Sequence, residues 1–280
     1  MAGRTQARHA RRSTDGHRSH AADVGLVCSH VSFRYGRTQV LHDVSFSIGR
    51  GVTGLLGANG AGKTTLLNVL STLRRPHEGH VVVAGHDASD ARGRESARAG
   101  LGYLPQRFEL MGCSTLEDNV AYAAWAHGLR EDLIPRAVDD ALAAVDLLDR
   151  RGMRARQLSG GQRQRLAIAC ATAHRPEVIL LDEPTAGVDP MQRANIRTMV
   201  ARLGERATVL LSTHIIDDVS RGADRLLIMV DGGIAYAGDI AGSDGVGGPG
   251  GIADGVGTLG NDEDRTRAIE ELFLRISARG

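Results

Sequence analysis

From residue 26 to residue 48, apolar and polar positions alternate in short segments, 26–28, 31–33 and 44–46, with a turn signal at Tyr35, Gly36 and Arg37. A period of two broken by a glycine turn predicts antiparallel strands. Residues 52–56 read as an apolar strand and lead through a glycine-rich turn into a helix predicted over 63–73. Pro76 and Gly79 end that unit, and Val81, Val82 and Val83 begin another strand. Residues 106–157 differ. Ser114 and Glu117 have the spacing of a capping box, ahead of a helical run over 119–127. A second helix over 133–148 places Ala137, Val138, Ala141, Leu142, Val145 and Leu148 on one stripe. After Ser159 a helix runs to about Ala173. The strands expected over 178–181 and 208–211 each lead into a further helix. Buried strands alternating with helices predict an α/β core with a mainly parallel sheet covered on both faces. To this the pattern adds an N-terminal antiparallel β subdomain and an inserted α-helical subdomain over about 106–157.

The flanks read differently from the folded domain expected over 25–240. Residues 1–24 are rich in Arg, His, Ser and Ala without an apolar period, the pattern of a disordered basic tail. Residues 241–261 are dominated by glycine and read as a linker. Residues 262–280 begin acidic and place Ile269, Leu272, Phe273 and Ile276 on one face, as in an amphipathic helix that docks back on the core.

Of the 280 residues, 42% are hydrophobic and 24% charged, enough apolar material for a real core. The net charge of +1 argues against a protein built around nucleic-acid phosphates. Arg150, Arg151, Arg154 and Arg156 read as a solvated face or a partner contact. Cys28, Cys113 and Cys170 are too scattered for a disulfide framework or a zinc site, and are expected to be buried or half-buried thiols. No apolar run reaches the roughly 20 residues of a membrane helix, and no hydrophobic segment follows the N-terminal arginines to make a Sec or twin-arginine signal.

Gly57, Ala58, Asn59, Gly60, Ala61, Gly62, Lys63 and Thr64, followed by Thr65, fit G-x-x-x-x-G-K-[ST] between a predicted strand and a predicted helix. Glycines there let backbone N–H groups and the helix N-terminus face phosphates. Lys63 would hold the β- and γ-phosphates of a nucleotide, and the Thr64 hydroxyl would ligate Mg²⁺. Lys63 is also the chain's only lysine among 34 basic residues, at a place where the planar fork of arginine cannot substitute for a compact ammonium. The strand over 178–181 ends in Asp182 and Glu183. Adjacent acids after a buried strand call for a cation or a hydrogen-bond network; Asp182 suits the Mg²⁺ shell and Glu183 the activation of a water. Leu158, Ser159, Gly160, Gly161 and Gln162 form a second glycine-faced helix start, capped by Ser159. Two phosphate-facing helix starts, one with a lysine and one without, suggest that two copies share each nucleotide.

Together the P-loop, the acid-tipped strand and the LSGGQ segment resemble the ABC (ATP-binding cassette) ATPases over about residues 26–238. The resemblance implies a P-loop NTPase, RecA-like core that binds ATP and Mg²⁺ and hydrolyses ATP. It also implies that Gln106 is the glutamine joining core to helical lobe at the metal and γ-phosphate, that Gly187, Val188 and Asp189 form the D-loop, that His214 is the switch histidine, and that Tyr35 stacks on adenine. Residues 101–106, 184–190, 212–219 and 270–276 are similar to ATPases of ABC-2-type exporters of drugs and antibiotics. That similarity implies a second copy of the chain and a separately encoded integral-membrane permease as partners, with the chain cytoplasmic and peripheral on the inner face of the membrane. The competing expectation is a soluble ABC ATPase of a non-transport complex, as in iron–sulfur assembly. Phe108, Leu110, Met111, Tyr122 and Trp125 are expected to be mostly lobe core, some lining a groove for a partner helix.

Overall fold

A computed structural model describes residues 24–240 and 262–278. The tail expected over 1–24, apart from Val24, and the linker expected over 241–261 lie outside the described residues. Along the chain the elements are β1 (Val24–Tyr35), β2 (Thr38–Gly49), β3 (Gly51–Leu56), α1 (Lys63–Leu70), β4 (Glu78–Val83), β5 (His86–Asp87), α2 (Ala91–Ala99), β6 (Leu101–Leu104) and α3 (Leu116–Ala126). They continue as α4 (Ile134–Ala144), α5 (Gly160–Thr172), β7 (Val178–Asp182), α6 (Pro190–Gly204), β8 (Thr208–Thr213), α7 (Ile216–Ser220), β9 (Arg225–Val230), β10 (Gly233–Asp239) and α8 (Asp262–Ser277).

Two sheets form. An antiparallel one runs in the order β2-β1-β4-β5, with β1 and β2 turning at Tyr35↔Thr38. The six-stranded sheet runs β10-β9-β3-β8-β7-β6 and is parallel except for β10, which pairs antiparallel with β9 at the edge. Its central strands are buried on both faces, so their side chains divide by parity: Ile179, Leu181, Val209 and Leu211 face the α5 and α6 side, while Val178, Leu180 and Leu210 face α1 and the antiparallel sheet. The fold is therefore the α/β arrangement expected from the sequence, with α1 packed between the two sheets.

Helices α3, α4 and α5 pack on one another through Leu116, Val120, Val138, Leu142 and Leu166. The N-cap of α3 is Thr115, which accepts from the Asp118 N–H at 3.0 Å while Asp118 accepts from the Thr115 N–H at 2.9 Å. The capping box thus lies one residue beyond the Ser114–Glu117 spacing. Glu117 instead accepts two hydrogen bonds from Arg151, at 2.7 and 3.0 Å, and the same guanidinium reaches Asp139 at 2.8 Å. One of the four clustered arginines thereby ties α3 to α4, whereas Arg150, Arg154 and Arg156 are exposed. Met111, Tyr122 and Trp125, expected mostly in the lobe core, are exposed as well. So is Cys113, unlike Cys28 and Cys170; burial pushes the Cys28 thiol up to about 12. The helix α8 buries Ile269, Leu272 and Ile276 against Val219, Leu226 and Ile228.

Where α3 and α5 end, the rings of His127 and His174 stack at 3.8 Å, and His174 Nε2 meets the Leu101 carbonyl at 3.1 Å. Burial, with the charge of His127, pushes His174 down to about 4 from the usual 6.5. The unfolded chain therefore takes up this proton first on acidification. His174 contributes stability above pH 6.5 that is lost as pH falls toward 4, on the order of 3 kcal/mol. Urea midpoints between pH 7 and pH 4.5 are expected to fall more steeply for the wild type than for His174→Gln; parallel slopes would refute this.

Candidate active site

Three neighbouring strands, β3, β8 and β7, run parallel, with Leu56 beside Thr213 and Asp182 beside Ser212. Their C-terminal ends therefore share one edge, the edge at which open α/β sheets bind ligands. Three sequence segments far apart in the chain emerge there: 57–65 after β3, Asp182 and Glu183 at the end of β7, and His214 after β8.

The first segment wraps tightly. Gly62, the N-cap of α1, has φ +104°, a left-handed conformation that favours glycine. A side chain there would also press on Leu41 and Met229. The first-turn N–H groups of α1 have no acceptor within the helix, so the helix presents them, with its positive dipole end, to this edge. Lys63 folds back inside the loop and donates to the carbonyls of Gly57 at 2.8 Å and Ala58 at 3.2 Å. Its ammonium stands 3.7 Å from the Glu183 carboxylate, with side-chain exposures of 7% and 4%, so this pair is shielded from solvent. Burial lowers the Lys63 pKa, and the charges of Glu183 and Asp182 oppose that shift.

Glu183 sits at φ +52°, a conformation that costs an L-residue roughly 1–2 kcal/mol. It turns the chain sharply at the strand end, with its N–H donating to the Ser212 carbonyl at 3.0 Å. The carboxylate lies between Lys63 and His214, whose Nδ1 is 2.8 Å from Oε2 and 3.0 Å from Oε1. Asp182 is 1% exposed; Oδ1 accepts from the Ser212 hydroxyl, and Oδ2 is buried without a hydrogen-bond partner. A buried carboxylate oxygen with a free lone pair is suited to a hard cation. No cluster of three or more His, Cys, Asp or Glu gathers among the described residues. The free Oδ2 of Asp182 is a donor of the kind Mg²⁺ takes, commonly together with phosphates and water.

Thr64 is exposed on the first turn of α1, and Thr65 is half-buried. Gln106 is exposed two residues past β6, the strand beside β7. Tyr35 ends β1 and is 45% exposed, its ring edge-on to Phe33 and 5.9 Å from the Arg74 guanidinium. The LSGGQ signature segment, residues 158–162, is not joined to this cluster by any hydrogen bond or ion pair found among the described residues. Ser159 caps α5 in a box with Gln162, the Gln162 side chain accepting from the Ser159 N–H at 3.0 Å. Gly160 faces open space, while a side chain at Gly161 would collide with Gln192 of α6. Asp189 caps α6, accepting from the Gln192 N–H at 3.0 Å. Sequence reasoning passed over the buried Thr185 and Asp218 and the half-buried Arg197, which form a polar group behind this edge.

The ABC transporter family model matches residues 41–186, a span holding the phosphate loop, the signature segment and the acid pair. The chain belongs to the ABC transporter family. Among its ABC relatives, the methionine import ATP-binding protein MetN 2 of Shouchella clausii is 38% identical over 203 residues, covering 71% of this chain and 60% of the relative. The chain thus spans less than two thirds of that protein's length. The namesake from Salmonella choleraesuis is 36% identical over 78% of this chain and 66% of its own. The ABC fold is shared with cbiO1 from Clostridium perfringens, part of the ABC transporter complex cbiONQ, at TM-score 0.71 and 29% identity over 78% of this chain and 89% of that one. A dimeric ATP-binding cassette in a post-hydrolysis state with ADP and Pi superposes with TM-score 0.69 and 26% identity, over 78% of this chain and 99% of that one. The structure accordingly contains an ABC ATPase domain. No helix among the described residues is long and apolar enough to cross a membrane.

Proposed function

We propose that this chain is the ATP-hydrolysing subunit of an ABC transporter, working as a pair of copies on the inner face of a membrane through a separate permease. The observation that carries this reading is the convergence of Lys63, Asp182, Glu183 and His214 at the ends of three adjacent parallel strands.

In this reading the backbone N–H groups over 57–65 and the Lys63 ammonium bind the β- and γ-phosphates. Exchange of the Glu183 contact for a γ-phosphate oxygen would leave Lys63 paired and free the carboxylate to receive water. Glu183 then orients that water and takes its proton, while His214 holds the carboxylate and the γ-phosphate in register. Asp182 Oδ2 and the Thr64 hydroxyl would hold Mg²⁺, with Gln106 closing the site from the β6 side; the ion, when bound, neutralises charge developing on the phosphates. Tyr35 offers its exposed ring to adenine. Residues 159–162 of the second copy, with Gly160 open, cover the phosphates from the far side.

The expectation of a drug exporter finds no support among the named relatives, which are methionine import proteins. Uptake is therefore the direction to test first. The relatives are transporter subunits, so a non-transport complex of the iron–sulfur type is not favoured. Membrane fractionation with phosphate-release assays tests the reading. Expressed alone, the chain is expected in the soluble fraction, and in the membrane fraction only when its permease is co-expressed. Firm membrane association without a permease, or absence of ATP turnover in both preparations, would overturn it.

A further inference from the structure

Behind the edge that carries Glu183 and His214 lies a buried polar group. Asp218, on α7, has a side chain with 0% exposure, and both its oxygens are committed. Oδ2 accepts from the Thr185 hydroxyl at 2.5 Å, and Oδ1 accepts from Arg197 of α6 at 3.1 Å. Thr185 is 1% exposed and lies two residues past Glu183. Asp218 lies four residues past His214. Arg197 stands on the helix whose N-terminus is capped by Asp189.

One carboxylate thereby joins three segments: the turn after β7, the helix after 187–189, and the helix after His214. A buried charge is retained at a cost unless its hydrogen bonds are complete, and here the completing donors come from both neighbours of the site. The turn at Glu183 is itself strained, with φ +52°, and a strained conformation persists only where its surroundings over-determine it. The Thr185 bond anchors that turn from behind, and Asp218 follows by four residues the His214 that contacts the Glu183 carboxylate from in front, at 2.8 Å.

We propose that Asp218 and Thr185 are positioning residues for ATP hydrolysis: their buried bond holds Glu183 and His214 in mutual register and links both to α6. The inference rests on the hydrolytic reading above. Both side chains are buried behind the edge, Thr185 at 1% and Asp218 at 0% exposure, so removing the bond should spare binding and slow the chemical step. Misplacing a reacting group by about 1 Å can cost on the order of 100-fold in rate.

Thr185→Val keeps the shape of the buried side chain and deletes only the hydroxyl; Thr185→Ser restores it. On the full chain with its permease, kcat and KM for ATP, binding of a fluorescent ATP analogue and melting temperature are measured together. Thr185→Val is expected to lower kcat by about 10- to 100-fold with analogue affinity within about twofold, Thr185→Ser to recover most of the rate, and Asp218→Asn to behave like Thr185→Val. Thr185→Val at the wild-type rate would overturn the positioning role alone. So would a rate loss matched by lost affinity and lost melting temperature, which marks a structural bond. A wild type that turns over no ATP would remove the hydrolytic reading and this inference with it.

Discussion

Glu183→Gln is expected to bind ATP and fail to hydrolyse it, losing about 10²- to 10⁴-fold in kcat, or about 3 to 5 kcal/mol of transition-state stabilisation. Glutamine matches the size of the 6%-exposed glutamate and can still accept a hydrogen bond, but it cannot take a proton from water. Lys63 keeps two of its contacts, the carbonyls of Gly57 and Ala58, so the phosphate cradle survives. Because residues 159–162 stand apart from this cluster within one copy, blocked hydrolysis should hold two copies together around ATP. Light scattering after size-exclusion chromatography is expected to find an ATP-dependent dimer of Glu183→Gln that is lost when Ser159 is also replaced by Trp. Hydrolysis at the wild-type rate would remove Glu183 from the mechanism, and an ATP-loaded monomer would remove the shared site.

Lys63→Ala is expected to lose both binding and turnover. Truncating one partner of a buried charge pair costs about 2 to 5 kcal/mol, roughly 30-fold to several thousand-fold in Kd. Here the loss also leaves Asp182 and Glu183 as two buried carboxylates without their ammonium. Lys63→Arg should fare little better. A guanidinium carries its donors in a fixed planar fork, whereas the ammonium serves two carbonyls of its own loop and a carboxylate across the edge. Equilibrium binding and phosphate release decide the matter; an arginine variant with wild-type turnover would show that charge alone suffices.

What was legible in the sequence was local. The turn over 57–64 and the acid pair after residues 178–181 were visible because each lies in a contiguous stretch with its own turn or strand chemistry. The parallel sheet followed from continuous apolar runs. The helix α2 was not visible, since it buries only Arg94 and Ala97 and carries no apolar stripe. The capping box was misplaced by one residue because Ser114 and Glu117 satisfy the same spacing as Thr115 and Asp118. What decided between them was Arg151, 34 positions away, which holds Glu117 for itself. The Thr185–Asp218–Arg197 group was missed for the same reason: its members are separated by 33 and 21 positions, and only the fold makes them neighbours.

The lone lysine has a consequence for the handling of the molecule by other enzymes. Acylation, conjugation of modifier proteins and lysine-directed proteolysis all need an accessible side-chain amine. In this chain the only such amine is walled in at 7% exposure and occupied by its own loop. Folded, the domain offers lysine-directed enzymes almost nothing to act on, since its one side-chain amine lies inside the phosphate loop.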